Sequence, residues 1–521
     1  MHDILLSQTT ATNPIHTTKH MPKSDISIPT EVTRVTNQLY EAGYEAYIVG
    51  GCVRDILCGT EPKDWDVATN ARPKEMLDVF EHAHNDNDFG TVRIINDTDD
   101  EKLKVIEATT YRTESGYTDN RHPDEVCFSD SLSADLARRD FTINALALNL
   151  KNVSRDNIII VSPETLVDEH GGLVDLQKRR LRAVGDPKER FSEDALRIIR
   201  GIRFVAELSL EIEEETEAAL KSEVARLNDV AVERIRDEFE KIITSDSPKI
   251  GLEIAHEVGA LGIFLPELSD TIGVGQNQAH SYDLFEHLAQ ALQTTADKGW
   301  PLHIRLAALF HDIAKPETKE WSKERQDWSF HNHEVVGERV TRRVMERLKF
   351  PKALVSQVTN LVRWHMFFSD TDEITHSAVR RLVQNVGPDH VWDLMKLRRA
   401  DRLGMGRPKE EPYRLRKYQS MIEEVIRDPV SVGQLAVDGD DVIRETNETP
   451  GPRIGWILHA LLEEVLDNPN INEKDRLLER VQELHKLSDS DLEAIGTKGQ
   501  EKKRVREERA VKDIRDKYYV E

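Results

Sequence analysis

The sequence predicts an α+β protein: a small head built on a mixed sheet, followed by a long remainder that is almost all helical. Three observations carry this. Short apolar runs bounded by polar turns are confined to the first third of the chain. From about residue 176, apolar residues recur at helical spacing nearly to the end. No segment repeats at a fixed period, which excludes a stacked-repeat architecture.

Residues 1–28 are rich in Thr, Ser and His, without apolar periodicity, and read as a disordered tail. They hold no secretory apolar core and no arginine, against a signal or transit peptide. The head spans 29–175. A helical pattern from Glu31 to Tyr40 leads to a strand at Glu45–Val49, then Gly50-Gly51 and a helix from Val53. Val67–Thr69, Val92–Ile95 and Val105–Thr110 are further strands. Three helical regions follow, at 176–270, 271–405 and 406–521. The last includes helices near Leu415–Ile426 and Ile454–Leu466 and a charge-dense, solvated helix from Lys498 to Tyr519.

With 521 residues, 38% hydrophobic and 32% charged, the chain suits several soluble domains. It has no run of about 18 apolar residues, so no membrane span is expected. Cys52, Cys58 and Cys127 form no metal or disulfide pattern, which fits a reducing cytoplasm. The net charge of −24 lowers the odds of non-specific duplex binding. Basic residues nevertheless cluster between Lys178 and Arg203, and phosphate binding needs local rather than total positive charge.

The stretch GGCVRDILCGTEPKDWDVATNARP, residues 50–73, carries the first chemistry. Gly50 and Gly51 between strand and helix let backbone N–H groups approach a phosphate, and Arg54 in the first helical turn reaches the same place. Asp64 and Asp66 fall on one side of an extended strand. Two such carboxylates suit Mg²⁺ ions that activate a 3′-hydroxyl and stabilise a leaving pyrophosphate. Glu107 in VIEATTYR is a candidate third carboxylate, with an ordinary strand glutamate as the plain alternative. Further on, Asp194 and Arg197 lie three apart on a helix pattern and offer an acceptor beside a donor. That edge matches cytosine and adenine and leaves groups unpaired against uracil and guanine. A surface ion pair is the plain alternative. Arg197, Arg200 and Arg203 fan over about 120° of helix surface, to meet a triphosphate or solvent.

Four stretches occur in order: the GG-x-VRD and D-x-D segment at 50–66, RRDFTINALA at 138–147, RFSEDALRIIRGIRF at 190–204 and ERIRDEFEKI at 233–242. Together they resemble the class II CCA-adding tRNA nucleotidyltransferase and bacterial poly(A) polymerase family, of the DNA polymerase beta superfamily. The resemblance covers roughly residues 45–260. It implies Asp64 and Asp66 as catalytic metal ligands, Gly51, Arg54 and Arg139 at the incoming nucleotide, Asp140 near its ribose, and Asp194, Arg197, Arg200 and Arg203 completing the site. It also implies tRNA, CTP and ATP as partners and 176–270 as a nucleotide-selecting neck. The polar stretch YRTESGYTDNRHPDEV, residues 111–126, corresponds to a loop needed in this family for the switch from C to A addition.

Residues 275–402 hold a second ligand series: His287, His311-Asp312, His333, His365 and Asp401. Imidazole and carboxylate ligands suit Ni, Mn, Co, Fe or Zn, one ion or two, with activated water attacking a phosphoester as the expected chemistry. The ordered series resembles the HD phosphohydrolase superfamily, found in many bacterial CCA-adding enzymes. His280, in the same stretch, is not expected to be a ligand. The readings are therefore CCA addition with an HD phosphohydrolase; an A-adding enzyme or poly(A) polymerase; an HD phosphohydrolase whose head only docks RNA; and a non-catalytic RNA-binding protein.

Overall fold

The computed structural model describes residues 25–86, 90–115, 125–151, 157–276, 282–324, 326–367, 374–426, 432–492 and 495. Most of the expected tail, the centre of the 111–126 loop, His280 and the helix expected from Lys498 lie outside them. The chain divides into two compact units, residues 1–230 and 231–521.

The first unit is built on a seven-stranded mixed sheet. In spatial order its strands are Leu166–Val167, Ala147–Asn149, Ala46–Val49, Asp66–Thr69, Val105–Thr110, Thr91–Ile95 and Ala83–Asn85. Asp66–Thr69 and Val105–Thr110 run parallel; the other neighbours are antiparallel. Burial alternates along Val105–Thr110, where Ile106, Ala108 and Thr110 are covered, but Val67, Ala68 and Thr69 are all buried, because both faces of the central strands are covered. Residues 25–28, counted in the expected tail, are part of the fold. Asp25–Ser27 pairs with Ile158–Ile160, and Ile26 and Ile28 are buried, because two β-branched residues on one edge find apolar partners there.

Phe141 ties the sheet to the helices that follow. Its ring lies 6.3 Å from Phe191 and 5.8 Å from Phe204, all three fully or almost fully buried. Burying one such ring contributes roughly 1.5–3 kcal/mol. The contact fixes the helices Pro187–Glu193 and Leu196–Leu208, which carry the arginine series, against the head.

Strands do return past residue 176: Arg180–Leu181 pairs in parallel with Glu211–Ile212 in the first unit, and the second unit, helical otherwise among the described residues, holds a hairpin. Lys319–Ser322 and Asp327–Phe330 form an antiparallel hairpin, paired through Trp321↔Trp328 and Lys319↔Phe330. Aromatic cross-strand pairs favour a hairpin even inside a helical region. The helix Leu284–Asp297 packs on Val391–Gly404. A Cβ on Gly404 would meet Ala291 Cβ and His287 O at 3.0 Å, so glycine permits that approach. A separate apolar cluster around Ile457, Leu461, Val481 and Leu484 closes the C-terminal helices.

Candidate active site and metal centre

In the head, the turn after Ala46–Val49 sets the site. Gly50 has φ 80° and ψ −134°, a conformation open to glycine. A Cβ there would lie 2.6 Å from Arg139 Nη1 and 3.9 Å from Asp66 Oδ2. The bare backbone thus lets Arg139 lie over the turn beside Asp66. Burial pushes the Asp66 carboxyl up to about 6; Asp64 adds to the rise and Arg139 opposes it.

Asp66 stands opposite Glu107, and Glu107 opposite Arg93, so the three form one row across adjacent strands. Arg93 reaches Glu107 at 3.2 Å and Asp86 at 3.0 Å. Glu107 therefore has an arginine partner on its own face. Asp64 is not in the strand as expected. It is exposed, in a bend two residues before Asp66. Pairing of this strand opens with Glu107 N donating to Trp65 O, and Pro62 upstream has no N–H to extend the ladder.

Arg54 is almost fully buried and part of its guanidinium is held within the protein. It donates to Asp55 Oδ1 at 2.9 and 2.6 Å and to Asn144 Oδ1 at 2.7 Å. Asn144 donates to Asp140 Oδ1 at 3.1 Å, and Arg200 donates to Asp140 Oδ2 at 2.9 and 2.6 Å. One hydrogen-bonded chain thus joins three motifs. Burial alone would raise the Asp140 carboxyl, but Arg200 and Asn144 hold it well below the usual carboxylate range. Arg54, Arg200 and Arg203 lie 5.1, 5.5 and 4.4 Å from the centre of the Phe204 ring. Three guanidinium groups are thus gathered at one ring, each paired with a carboxylate: Asp55, Asp140 and Glu207.

Asp194 and Arg197 do not share a helix. The backbone turns out at Asp194, φ −140° and ψ 103°, between Pro187–Glu193 and Leu196–Leu208. Its Oδ1 accepts from Leu196 N at 3.0 Å. A short acidic side chain that meets the bare N–H groups of the next helix favours such a break. The Arg197 guanidinium is held by Glu193 Oε2 at 2.7 Å, Arg138 O at 3.0 Å and Arg190 O at 3.1 Å.

In the second unit, all six expected ligands are buried and meet. The ligand atoms of His287, His311 and Asp401 lie within 4.8 Å of one another, as do those of Asp312, His333 and His365. Asp312 stands between the two groups. Its Oδ2 is 3.3 Å from His287 Nε2 and 3.2 Å from His311 Nε2, and its Oδ1 is 3.1 Å from His333 Nε2 and 3.5 Å from His365 Nε2. The rings are oriented from behind. Nδ1 of His311, His333 and His365 pairs with the carbonyls of Ala308, Phe330 and Val362 at 2.8, 2.7 and 2.7 Å. Those bonds leave Nε2 as the free donor atom of each ring. Nε2 atoms 3.1 and 3.3 Å apart cannot all present bare lone pairs, so the donor set calls for cations or protons between them. Burial would lower His311, yet Asp312 and Asp401 push it up to about 10, the demand a metal ion would meet instead. Lys315 reaches Asp312 Oδ2 at 2.7 Å and Arg398 reaches Asp401 Oδ2 at 2.6 Å.

Against known proteins, the Poly A polymerase head domain family matches residues 46–182. The family described as the probable RNA and SrmB-binding site of polymerase A matches 209–272, and the HD domain family matches 279–406. The CCA-adding enzyme of Limosilactobacillus reuteri (strain DSM 20016) is 33% identical over 458 residues, 87% of this chain and 96% of that protein. This chain belongs to the CCA-adding enzyme family. The CCA-adding enzyme of Lactiplantibacillus plantarum is 32% identical over 442 residues, 84% of this chain and 92% of that one. The crystal structure of the Bacillus stearothermophilus CCA-adding enzyme in complex with CTP covers 87% of this chain and 96% of its own, with a TM-score of 0.63 and 25% identity. The Thermotoga maritima CCA-adding enzyme complexed with tRNA shares the fold, with a TM-score of 0.53 and 19% identity.

For a CCA-adding enzyme family member, both the nucleotidyltransferase head and the HD domain belong to metal-dependent families. Among the described residues, no helix is long and apolar enough to cross a membrane. Asn144, Glu193, Lys315 and Arg398 are site residues that the sequence reading misses. Each lies inside a stretch already singled out, so membership of the motif was the available signal.

Proposed function

We propose that this chain adds C, C and A to tRNA 3′ ends from CTP and ATP, in a cytoplasmic setting that its three free cysteines suit. The observation that supports this most is the chain of contacts from Arg54 through Asn144 and Asp140 to Arg200, set beside the Asp66–Glu107 row. Arg139, which donates to Asn144 O at 3.4 Å and lies over the Gly50 turn beside Asp66, links the arginines to the carboxylates. Head at 29–175, neck at 176–270, HD domain at 271–405 and RNA-binding body from 406 is the organisation we assign.

Asp64 and Asp66 are the head's metal ligands in this reading, and crowded carboxylates beside a single arginine fit a divalent cation. Mg²⁺ there supplies Lewis acidity toward the attacking 3′-hydroxyl and the leaving pyrophosphate. The residues themselves do the rest. Gly50 and Gly51 admit the triphosphate to the helix N-terminus. Arg54, Arg139, Arg200 and Arg203 neutralise and orient it, and Asp140 fixes Arg200. The 3′-oxygen bonds to the α-phosphorus, the bond to pyrophosphate breaks, and the hydroxyl proton passes to the site's carboxylates. Arg197, held by Glu193, and Asp194 at the helix break read the base edge. A rigidly held donor beside an acceptor rejects uracil and guanine by leaving buried groups unpaired.

Primer extension tests the reading. Three tRNA transcripts, ending before CCA, after C and after CC, are given each NTP alone and CTP plus ATP together. Growth of the shortest primer by three nucleotides, needing both CTP and ATP and stopping there, is expected. A single A on the CC-ended primer alone means an A-adding enzyme, and a long A ladder a poly(A) polymerase.

The two histidine–aspartate groups bridged by Asp312 support a second activity: metal-dependent hydrolysis of a 3′-phosphate or 2′,3′-cyclic phosphate at an RNA end, with Ni, Mn, Co, Fe or Zn. Loss of nucleotidyl transfer in Asp64→Ala, with hydrolysis retained, keeps both activities. No loss in that variant returns the chain to an HD hydrolase with a docking head.

A further inference from the structure

The hairpin Lys319–Ser322 and Asp327–Phe330 sits in the chain between two ligands, Asp312 and His333, and is tied to the centre at its base. Phe330 supplies the carbonyl that orients His333 Nδ1 at 2.7 Å. Its ring lies under Lys315 Nζ at 5.2 Å, and the same ammonium contacts Asp312 at 2.7 Å and Gln276 Oε1 at 2.8 Å. Cross-strand partners point to the same face of a hairpin, as do residues two apart. The register Lys319↔Phe330 and Trp321↔Trp328 therefore places Lys319, Trp321, Trp328 and Phe330 on one face. Lys319 Nζ lies 4.4 Å from the centre of the Trp328 ring and donates to Gly275 O at 2.8 Å. Trp328 and Trp321 meet edge to face, 5.1 Å between centroids at 80°. Trp321 is 46% exposed.

Cation and ring thus alternate from the bridging aspartate out to solvent. Alternation of this kind matches a nucleotide, whose phosphate wants cations and whose base wants an aromatic face. A surface evolved only for apolar packing has no need of two lysines over its rings.

We propose that this face is the nucleoside subsite of the HD centre: the 3′-terminal base of an RNA stacks on Trp321, and Lys315 and Lys319 guide its 3′-phosphate to the two ligand groups. The proposal rests on reading the centre as a hydrolase of terminal phosphate. In that reaction water oxygen bonds to phosphorus, the ester bond to the 3′-oxygen breaks, and that oxygen takes the proton.

The test uses the full chain loaded with Mn²⁺ or Ni²⁺, with cytidine 3′-monophosphate and glycerol 2-phosphate as substrates and excess CTP and ATP to fill the head. Trp321→Ala is expected to raise KM for cytidine 3′-monophosphate about tenfold or more, with little change in kcat and none in glycerol phosphate turnover. Trp321→Phe should keep most of the affinity. Equal losses on both substrates would make Trp321 a structural residue and overturn the subsite. Equilibrium dialysis of labelled cytidine 3′-monophosphate separates the two readings. Binding that depends on Trp321 without phosphate release sustains the subsite and sinks the hydrolase; binding indifferent to Trp321 sinks the subsite. If Trp321→Ala instead lowers CCA addition and spares hydrolysis, the face docks the tRNA body and the proposal fails.

Discussion

Arg54 donates a 2.7 Å hydrogen bond to the carboxamide oxygen of Asn144. The opposite edge of that amide donates to Asp140, so its orientation is fixed by one cation and one anion. A single side chain thereby joins the glycine turn to the aspartate that holds Arg200.

Asn144→Ala should weaken this junction at both ends. It leaves a buried guanidinium N–H and a buried carboxylate oxygen without that partner, at a cost of about 1–3 kcal/mol. Asn144→Asp should be worse, since it sets a second carboxylate against Asp140. The expected result is a KM for CTP raised roughly tenfold, with KM for tRNA changed less, and a lowered denaturant midpoint. Steady-state kinetics and urea unfolding check it. Unchanged CTP affinity in a less stable protein would confine Asn144 to folding.

Arg200→Met should make stability depend on pH in a defined direction. The folded Asp140 carboxyl is depressed because Arg200 and Asn144 outweigh its burial. A depressed carboxylate contributes stability above its unfolded value, about 3.9, and loses it as pH falls through the folded value. Without Arg200, burial raises the carboxyl instead. The gap in unfolding temperature between the native chain and the variant should be widest near neutral pH and narrow below about pH 4. Thermal melts from pH 3 to 8 measure it; a constant gap would mean that Arg200 stabilises by packing alone.

Asp66→Asn and Glu107→Gln should separate the two strand carboxylates. Asp66 lies against the Gly50 turn and Arg139, where removing its charge should lower transfer at least about 1,000-fold, as for a group that holds a catalytic cation. Glu107 is partnered by Arg93, and its loss should cost roughly tenfold through a misplaced row. Single-turnover CTP incorporation gives both numbers. Equal losses would make Glu107 a third metal carboxylate.

Much of this was legible in the sequence because it rests on local signals. The Gly50-Gly51 turn and the Val105–Thr110 strand follow from short-range pattern, and the six histidine and aspartate residues from an ordered series that resembles a known family. What escaped depends on partners far along the chain. The partner that helps fix the Arg54 guanidinium, Asn144, lies 90 residues on. Asp194 and Arg197 suit one helix by spacing, yet the helix breaks at Asp194, whose Oδ1 accepts from Leu196 N in the next helix. The Lys319–Phe330 hairpin hides because tryptophans and lysines in four-residue runs fit helix and strand alike. Bridging by Asp312 could not be read from order alone, which gives the ligands but not which oxygen faces which ring.

That bridging makes the last prediction quantitative. Asp312 turns Oδ2 toward His287 and His311 and Oδ1 toward His333 and His365. With both groups loaded, Asp312 would offer one oxygen to each, and the metal content of variants should fall unequally. The native chain is expected to carry about two ions, on the two-carboxylate-oxygen logic of binuclear sites. His333→Ala should lose one, because His287, His311 and Asp401 keep Asp312 Oδ2 as a fourth donor. Asp312→Ala should lose both, since it removes a donor from each group and leaves Lys315 without its carboxylate. Elemental analysis after dialysis against trace metal measures this, and CCA addition should be unchanged in both variants, whose substitutions touch no residue of the nucleotide site. A native chain with one ion, and none in His333→Ala, would mean that all the imidazoles converge on a single cation, with Asp312 chelating rather than bridging.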